Sequence, residues 1–232
     1  MGPGVVGREA ELEEVDRFLD EARRSFTALV LEGQPGIGKT TVWREARDRA
    51  LQLGWLTLSC RPAEAEAKLS FAGVADLLAP VDGTAFSSLP PPQQEALGVA
   101  LLRTRPTGQR SIARAVAAGF LTLIRHLASE GEVLIAVDDW QWLDLPSRRV
   151  LEFAARRLDP EHVGLLWSVR SSSLTGVGPE RLIVEDRLHR VVVGPLSLAT
   201  MQTAAPALAL IGASLSRDGG LLLWNCETGS GS

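Results

Sequence analysis

The segment GQPGIGKT at residues 33–40 constrains what this chain can fold into more than any other part of the sequence. It fits the spacing G-x-x-x-x-G-K-[ST], in which glycines turn the backbone tightly and direct successive N–H groups toward an anion. A Cβ at those positions would block the approach. Lys39 adds a mobile positive charge, and the Thr40 hydroxyl is a suitable ligand for Mg²⁺. The segment predicts a phosphate-binding loop formed by Gly33, Pro35, Gly36, Ile37, Gly38, Lys39, Thr40 and Thr41.

The residues on either side indicate the structural context that such a loop requires. Phe26 to Glu32 is a short apolar run of strand length, and apolar residues recur with a helical period from Thr41 to Leu53. A helix that begins near Gly38 would also direct the positive end of its dipole toward bound phosphates. The order of strand, glycine loop and helix favours a phosphate site over a glycine-rich turn.

A second part of the same site is predicted where an apolar run ends in two aspartates. Val133 to Val137 has the composition of a buried strand, and Asp138 and Asp139 follow it directly. At the carboxyl edge of a parallel sheet, Asp138 would hold Mg²⁺, mainly through water, and Asp139 could polarise an attacking water. The alternative is that these aspartates only start a turn or cap a helix. Beside a phosphate loop, the metal-binding interpretation is favoured.

An arginine follows the next apolar run, Val163 to Val169, and would lie at the same edge of the sheet. There Arg170 could sense the γ-phosphate and couple its loss to movement of residues 171–178. The alternative is a surface arginine at the end of a strand. The predicted catalytic groups are Lys39, Asp139 and Arg170, and the predicted metal ligands are Thr40 and Asp138.

Short apolar strands alternate with helical patterns along the chain, which predicts a parallel sheet covered by helices on both faces. Asp144 stands where the N-cap of a helix belongs, and Pro146 is tolerated in a first turn. The predicted helices are Glu9–Arg24, Thr41–Leu53, Phe71–Ala79, Gln93–Leu102, Ile112–Leu127 and Pro146–Leu158. The predicted strands are Phe26–Glu32, Trp55–Cys60, Val133–Val137, Val163–Val169 and Arg190–Gly194.

Composition limits the partners that we expect. The chain has 232 residues, of which 45% are hydrophobic, and this suits one α/β domain with or without a small appendage. A net charge of −4 gives no reason to expect direct nucleic-acid binding. The arginine pairs at 23–24, 148–149 and 156–157 are typical of solvated helix faces. Cys60 and Cys226 fit no metal pattern and suggest no disulfide framework.

The predicted compartment is the cytoplasm, because residues 1–4 lack the basic and apolar regions of a signal peptide. Val191 to Ser216 contains no charged residue and is long enough to cross a bilayer. However, Pro195, Pro206 and several Ser and Thr residues dilute its hydrophobicity. A buried strand followed by a mostly apolar helix explains the segment, so no membrane association is expected.

Four separated motifs occur in an order that resembles one protein family. They are VVGREAEL at residues 5–12, GQPGIGKTT at 33–41, VLIAVDDWQWLD at 133–144 and LLWSVR at 165–170. Together they resemble the nucleotide-binding domain of STAND-type AAA+ ATPases, especially that of the large LuxR-family bacterial transcriptional regulators. The resemblance extends from about Val5 to Leu198.

This resemblance implies the P-loop NTPase fold, a three-layer α/β/α sandwich around a parallel five-stranded sheet in the order 5-1-4-3-2. The strand that ends in Arg170 would lie between the strands that precede the glycine loop and Asp138. The implied ligands are ATP or ADP with Mg²⁺, and Val6, Gly7 and Arg8 would contact the adenine. The preference for ATP over GTP rests on the resemblance alone, because the loop itself recognises phosphates.

The resemblance predicts a nucleotide-binding domain at residues 1–198, followed by an atypical C-terminal remnant and flexible tail at 199–232. Family members continue from a segment like Gly194–Ser197 into a helical lid, a winged-helix region, sensor repeats and a helix-turn-helix. Here the chain stops about 35 residues later, which suggests a truncated or shifted reading frame. We therefore expect a slowly hydrolysing ATP switch for signal transduction or transcription regulation, without DNA-binding or sensor modules.

Two other functions stay open from the sequence. A P-loop kinase acting on a small acceptor would use an arginine-rich lid such as Arg103–Arg114, although the paired aspartates argue against it. A non-catalytic fragment would expose apolar surface and bind a partner protein or a second copy. Four tryptophans are expected in the core: Trp43, Trp140, Trp142 and Trp167.

Overall fold

Five parallel strands form the central sheet in the computed structural model, which describes residues 7–102, 112–171 and 183–196 and the backbone of 213–215 and 221–223. The strands are β1 (Thr27–Gly33), β2 (Leu56–Cys60), β3 (Val133–Val137), β4 (Val163–Arg170) and β5 (Leu188–Val192). Their order is β2-β3-β4-β1-β5, and every neighbouring pair is parallel. This is the predicted order 5-1-4-3-2 read from the other edge, so the fold prediction is confirmed.

Seven α-helices surround this sheet in the described part of the chain. They are α1 (Glu9–Ala22), α2 (Lys39–Gln52), α3 (Ala72–Leu78), α4 (Gly83–Phe86), α5 (Pro91–Ala100), α6 (Ile112–Glu130) and α7 (Leu145–Ala155). The short α4 was not predicted; its N-cap is Asp82, whose carboxylate accepts a hydrogen bond from Thr84 N at 2.8 Å. The helix predicted at Gln93–Leu102 begins instead at Pro91, because proline suits the first turn of a helix.

The helices cover both faces of the sheet. Successive side chains of a strand point to opposite faces, so each strand contacts both layers of helices. On one face, Val30 of β1 belongs to a buried cluster with residues of α3, α6 and α7, including Val74, Phe120 and Val150. On the other face, Gly164 of β4 packs closely against the Phe18 ring of α1. A Cβ added at Gly164 would lie only 2.8 Å from that ring. Helix α2 contacts α1, and both belong to that second layer.

The edge strand β5 begins and ends two residues earlier than predicted. The predicted strand began at Arg190, but strand pairing extends back to Leu188, which is opposite Ala28 of β1. Arg190 lies on the exposed face of this edge strand, whereas His189 lies on the opposite face, where its ring nitrogen is 2.8 Å from the Glu21 carboxylate of α1. Arg190 forms an ion pair with Glu32 at 3.0 Å across the β1–β5 pair.

The chain divides into two compact units, residues 10–193 and a second unit of residues 1–9 with 194–232. In the second unit, the Arg8 guanidinium donates to the Gly194 carbonyl at 2.7 Å. Two short antiparallel strands, β6 (Ala213–Leu215) and β7 (Leu221–Leu223), also belong to it. The boundary near Leu198 and the tail at 229–232 lie outside the described residues and stay predictions. No helix in the described segments has the length and apolarity needed to span a membrane.

The buried thiol of Cys60 gives a test of the packing at the end of β2. Burial, followed by the nearby negative charge of Asp76, raises the pKa of this thiol. Because the thiolate is the reactive form, we expect Cys60 in a Cys226→Ser variant to react with a disulfide reagent at pH 8 at least about 100-fold more slowly when folded than when denatured.

The raised pKa of Cys60 also determines how the stability of the fold changes with pH. Above about pH 8.5 the unfolded thiol loses its proton while the native thiol keeps it, so stability is expected to fall as pH rises there. Equal labelling rates in the native and denatured chain would contradict this packing of Cys60.

Candidate functional site

The glycine loop joins the end of β1 to the start of α2, as the sequence predicts. Gly36 and Gly38 have φ values of 74° and 106°, in the left-handed region that side-chain-bearing residues rarely adopt. Gly38 is the N-cap of α2 and has no capping side chain. The N–H groups of Lys39 and Thr40 therefore begin a helix without intrahelical acceptors, which suits them to bind an anion.

Lys39 is buried beneath this loop. Its Nζ donates hydrogen bonds to the carbonyl oxygens of Gly33 at 3.1 Å and Gln34 at 2.9 Å. Burial is the main cause of a lowered pKa at Lys39, and the positive charge of Arg170 lowers this pKa further, whereas Asp139 and Asp138 raise it. The Lys39 ammonium group is thus close enough to Asp138, Asp139 and Arg170 for their charges to affect its pKa.

The register of the sheet brings the ends of three strands to one edge. Gly33 of β1 is opposite Arg170 of β4, and Val137 of β3 is opposite Trp167 of β4. The strand that ends in Arg170 thus lies between the two strands that lead to the glycine loop and to Asp138. The structure therefore places the predicted residues of these three strand ends at the same edge, where ligands bind in parallel α/β sheets.

Asp138 is almost fully buried, and two side chains that the sequence analysis missed hold its carboxylate. Ser168 of β4 donates from its hydroxyl to Asp138 Oδ1 at 2.6 Å. The half-exposed Arg61, just after β2, lies 3.3 Å from Asp138 Oδ2. Ser168 could have been found only from the strand register, because it is one residue beyond the Val137–Trp167 pair.

Asp139 has a φ of 54°, an unusual left-handed conformation for a residue with a side chain. Its N–H donates to the Ser168 hydroxyl at 2.8 Å, and its Oδ1 accepts from the Gln141 amide at 2.6 Å. Gln141 in turn lies near Arg170, whose N–H donates to Gln141 Oε1 at 3.4 Å. These contacts connect the end of β4 to the turn that follows β3.

Trp142 corrects one prediction about the core. Trp43, Trp140 and Trp167 are fully buried as expected, but Trp142 is only half-buried. The Arg170 guanidinium lies 5.3 Å from the centre of its ring, within reach of a cation–π contact. Trp142 is on the outer side of the short 3₁₀ turn Trp140–Trp142, so it contacts the arginine instead of the core.

Asp144 is the predicted N-cap of α7, and the structure gives it a second role. Its carboxylate accepts from Ser147 N at 2.9 Å within α7. It also accepts from Phe71 N at 2.9 Å and Gly73 N at 3.0 Å, at the start of α3. The turn that follows the two aspartates is thereby fixed to a helix more than seventy residues earlier in the chain.

The side chains at the sheet edge fit a Mg²⁺ ion that also binds phosphate oxygens. Asp138 and Thr40 offer the hard oxygen ligands that this ion prefers, and Mg²⁺ is commonly held by one or two carboxylates with phosphates and water. Across the described ranges, no group of three or more His, Cys, Asp or Glu residues could hold a metal without such additional ligands.

The locations of Gly7 and Arg8 do not test the predicted contacts with adenine. Gly7 and Arg8 belong to the second unit, where Gly7 has a φ of 75° and its N–H donates to Glu9 Oε1 at 3.1 Å. Val6 lies outside the described residues. Their role at the base therefore stays a prediction.

A parallel sheet in this order, with a glycine loop between β1 and α2, defines a nucleotide-binding P-loop NTPase fold. Residues 4–167, more than half of the chain, match the AAA ATPase domain family. The chain belongs to that family. Among proteins of curated function, none matches the sequence significantly.

Solved structures with the same fold are similar to this chain at low sequence identity. Cdc6p from Pyrobaculum aerophilum is 15% identical with a TM-score of 0.58, over 96% of this chain and 52% of that one. The Aeropyrum pernix ORC2 protein, solved as ADPNP-ADP complexes, is 15% identical with a TM-score of 0.54, over 90% and 52%. The Aeropyrum pernix ORC1 protein in complex with DNA is 21% identical with a TM-score of 0.50, over 89% and 50%. This chain spans about half the length of these proteins.

Proposed function

We propose that this chain is an ATP-binding, slowly hydrolysing switch domain of the STAND type, like that of the large LuxR-family bacterial transcriptional regulators. The observation that carries the proposal is the convergence of Lys39, Asp138 and Arg170 on one edge of the sheet, beside the glycine loop. A phosphate cradle, a metal-binding carboxylate and a second cation are the groups that a nucleoside triphosphate requires together.

The chain's own groups would divide the nucleotide between them. The loop N–H groups and Lys39 would bind the outer phosphates, and Thr40 and Asp138 would hold Mg²⁺. Val6, Gly7 and Arg8 would contact the adenine. The metal, when bound, supplies charge neutralisation on the phosphate oxygens. Ser168 would keep the Asp138 carboxylate in place, because it donates to Oδ1 at 2.6 Å.

Slow turnover is consistent with the surroundings of Asp139. This carboxylate would orient the attacking water, but its Oδ1 already accepts a hydrogen bond from Gln141 at 2.6 Å. Gln141 also accepts from the Arg170 backbone N–H. A change in the position of Arg170 on loss of the γ-phosphate would therefore be transmitted through Gln141 to Asp139 and to the Trp142 turn.

Titration calorimetry of residues 1–232 with Mg-ATP and Mg-ADP tests the proposal. We expect micromolar binding of both nucleotides, and weaker binding of either one when EDTA removes the metal. A folded sample that binds neither nucleotide would contradict it. A parallel titration with Mg-GTP tests the preference for adenine, which rests on the family resemblance.

The expected partners of this domain are nucleotide and a second protein surface, with no direct contact to nucleic acid. The ORC1 protein was solved with DNA, but it is about twice the length of this chain. The net charge of −4 favours our expectation, because nucleic-acid affinity depends mainly on neutralising phosphates. A cytoplasmic location also stays a proposal.

Replacing Asp139 with asparagine is expected to keep Mg-ATP affinity within about twofold and to reduce turnover by at least about 100-fold. Asparagine keeps the shape of the side chain but cannot accept a proton from the attacking water. Single-turnover release of labelled phosphate, measured with the enzyme saturated, separates binding from chemistry. Unchanged turnover in this variant would mean that another group orients the water.

A further inference from the structure

We infer that the groove between α6 and α7 is a docking site for an acidic, amphipathic helix of a partner protein. The groove has a volume of about 400 Å³. The half-buried rings of Phe71 and Phe153 provide its apolar surface, and Arg114, Arg149 and Arg156 line its rim. We name this surface between α6 and α7 the basic groove. It belongs to the unit of residues 10–193 and shares no residue with the candidate nucleotide site.

The charge of the basic groove selects an acidic partner. Its three arginines are exposed, and none of them forms an ion pair with another described residue. One acidic residue, Glu152, lines the groove beside them. The lining therefore carries a net positive charge, whereas the whole chain carries −4. Electrostatic complementarity of this kind favours an anionic ligand and speeds its association.

The dimensions of the basic groove favour a helix over a small anion. Its lining on α7 extends from Pro146 to Arg156, so it follows about 15 Å of that helix, or about three turns. Arg149 and Arg156 are seven residues apart, which separates them by about 10 Å along one face. A single carboxylate cannot reach both. Two acidic residues seven positions apart on a docked helix can.

The apolar surface of the groove has a fixed aromatic wall. Phe71 has a φ of 62°, a strained conformation for a bulky residue. Its N–H is held by the Asp144 carboxylate at 2.9 Å, so the backbone that positions the ring is fixed before any ligand binds. On the other side, the Arg157 guanidinium lies 3.6 Å from the centre of the Phe153 ring. Aromatic side chains, including phenylalanine, and arginines are enriched at protein interfaces.

A phosphate backbone fits this surface less well than a peptide does. Glu152 stands between Arg149 and Arg156 on α7, so the basic side chains of this helix do not form a continuous line for phosphates. The half-buried rings of Phe71 and Phe153 instead suit the leucine or phenylalanine side chains of an amphipathic helix. The inferred partner therefore has apolar residues on one face, with glutamates or aspartates beside them.

The test uses the full 232-residue chain and a fluorescein-labelled synthetic helix of about fourteen residues, with leucines on one face and glutamates seven positions apart. Fluorescence anisotropy measures its binding. We expect Arg149→Glu with Arg156→Glu to weaken binding at least about tenfold. The matched control is Arg24→Glu with Arg44→Glu, which makes the same charge change at exposed positions away from the groove and should alter binding by less than about twofold.

A second variant and two altered peptides separate the charge from the apolar contact. Phe153→Ala should weaken binding without any change of charge, and thermal unfolding of each variant confirms that it is folded. Peptides with glutamine for glutamate, or with alanine for leucine, should both bind more weakly. Equal binding of the glutamine peptide, or equal loss in the control variant, would overturn the proposal.

Two other occupants are distinguished by the same variants. A labelled DNA duplex that binds more tightly than the peptide and loses affinity in the Arg149→Glu and Arg156→Glu chain would assign the groove to nucleic acid instead. Concentration-dependent sedimentation that is abolished by the same double variant would assign it to a second copy of the chain. Either result would overturn the peptide proposal, and neither depends on nucleotide binding.

Discussion

Replacing Lys39 with alanine is expected to weaken Mg-ATP binding by about 1.5–3 kcal/mol, or roughly 10- to 150-fold. Lys39 is the charged group of the glycine loop, and its Nζ is held under the loop by the carbonyl oxygens of Gly33 and Gln34. A charged hydrogen bond from this group to a phosphate would be lost without replacement. Titration calorimetry of the variant with Mg-ATP and Mg-ADP measures the loss directly.

Lys68→Ala is the matched control for this prediction. Lys68 is the only other lysine in the chain, and it is exposed, so its removal makes the same chemical change away from the loop. Its affinity should equal that of the unaltered chain. If Lys39→Ala also binds Mg-ATP with unchanged affinity, the assignment of the glycine loop as the phosphate site is wrong.

The Lys39→Ala variant should stay folded with a stability close to that of the unaltered chain, because it loses a buried charge together with the two hydrogen bonds to Gly33 and Gln34. Burial lowers the pKa of Lys39, so the native state disfavours the protonated form that dominates at neutral pH. The unfolded chain holds this proton more tightly, and stability therefore rises with pH between the lowered pKa and the ordinary value. Alanine removes this cost and also the two bonds to Gly33 and Gln34, so a midpoint of thermal unfolding close to that of the unaltered chain distinguishes lost binding from lost structure.

The sequence predicts the position of the loop because the loop depends on a local pattern, whereas the strand order comes from the family resemblance. The glycine spacing specifies the turn before α2 without reference to the rest of the chain, and positive φ values at Gly36 and Gly38 are what that spacing allows. Apolar runs identify the buried strands, and the family resemblance supplies their order. The location of Arg170 beside Gly33 then follows from that order.

The contacts missed by sequence analysis join residues that are far apart in the chain. Ser168 bonds to Asp138, thirty residues earlier, and Arg61 reaches the same carboxylate from seventy-seven residues away. Serine and arginine are common at strand ends, so neither carries a distinctive local pattern. The start of β5 was misplaced for a related reason, since Leu188 and His189 show no strand pattern until β1 provides the pairing partner.

Replacing Asp144 with alanine is expected to destabilise the fold by about 3–5 kcal/mol, a loss typical of breaking a buried charged hydrogen-bond network. The carboxylate is buried and accepts three backbone N–H groups, from Phe71, Gly73 and Ser147. All three donors would lose their acceptor, and they lie where water has little access. Equilibrium unfolding in urea measures the change from the shift in midpoint at constant slope.

Two comparison variants show why Asp144 matters more than an ordinary helix cap. Asp144→Asn keeps one carbonyl oxygen as an acceptor, so it should lose less stability than alanine. Asp82 caps α4 at an exposed site, where it accepts only from the N–H and the hydroxyl of Thr84, and Asp82→Ala should therefore cost much less. If Asp144→Ala and Asp82→Ala shift the midpoint equally, the bonds to Phe71 and Gly73 contribute nothing. A larger loss at Asp144 would instead support a rigid connection from the turn after Asp139 to the aromatic wall of the basic groove.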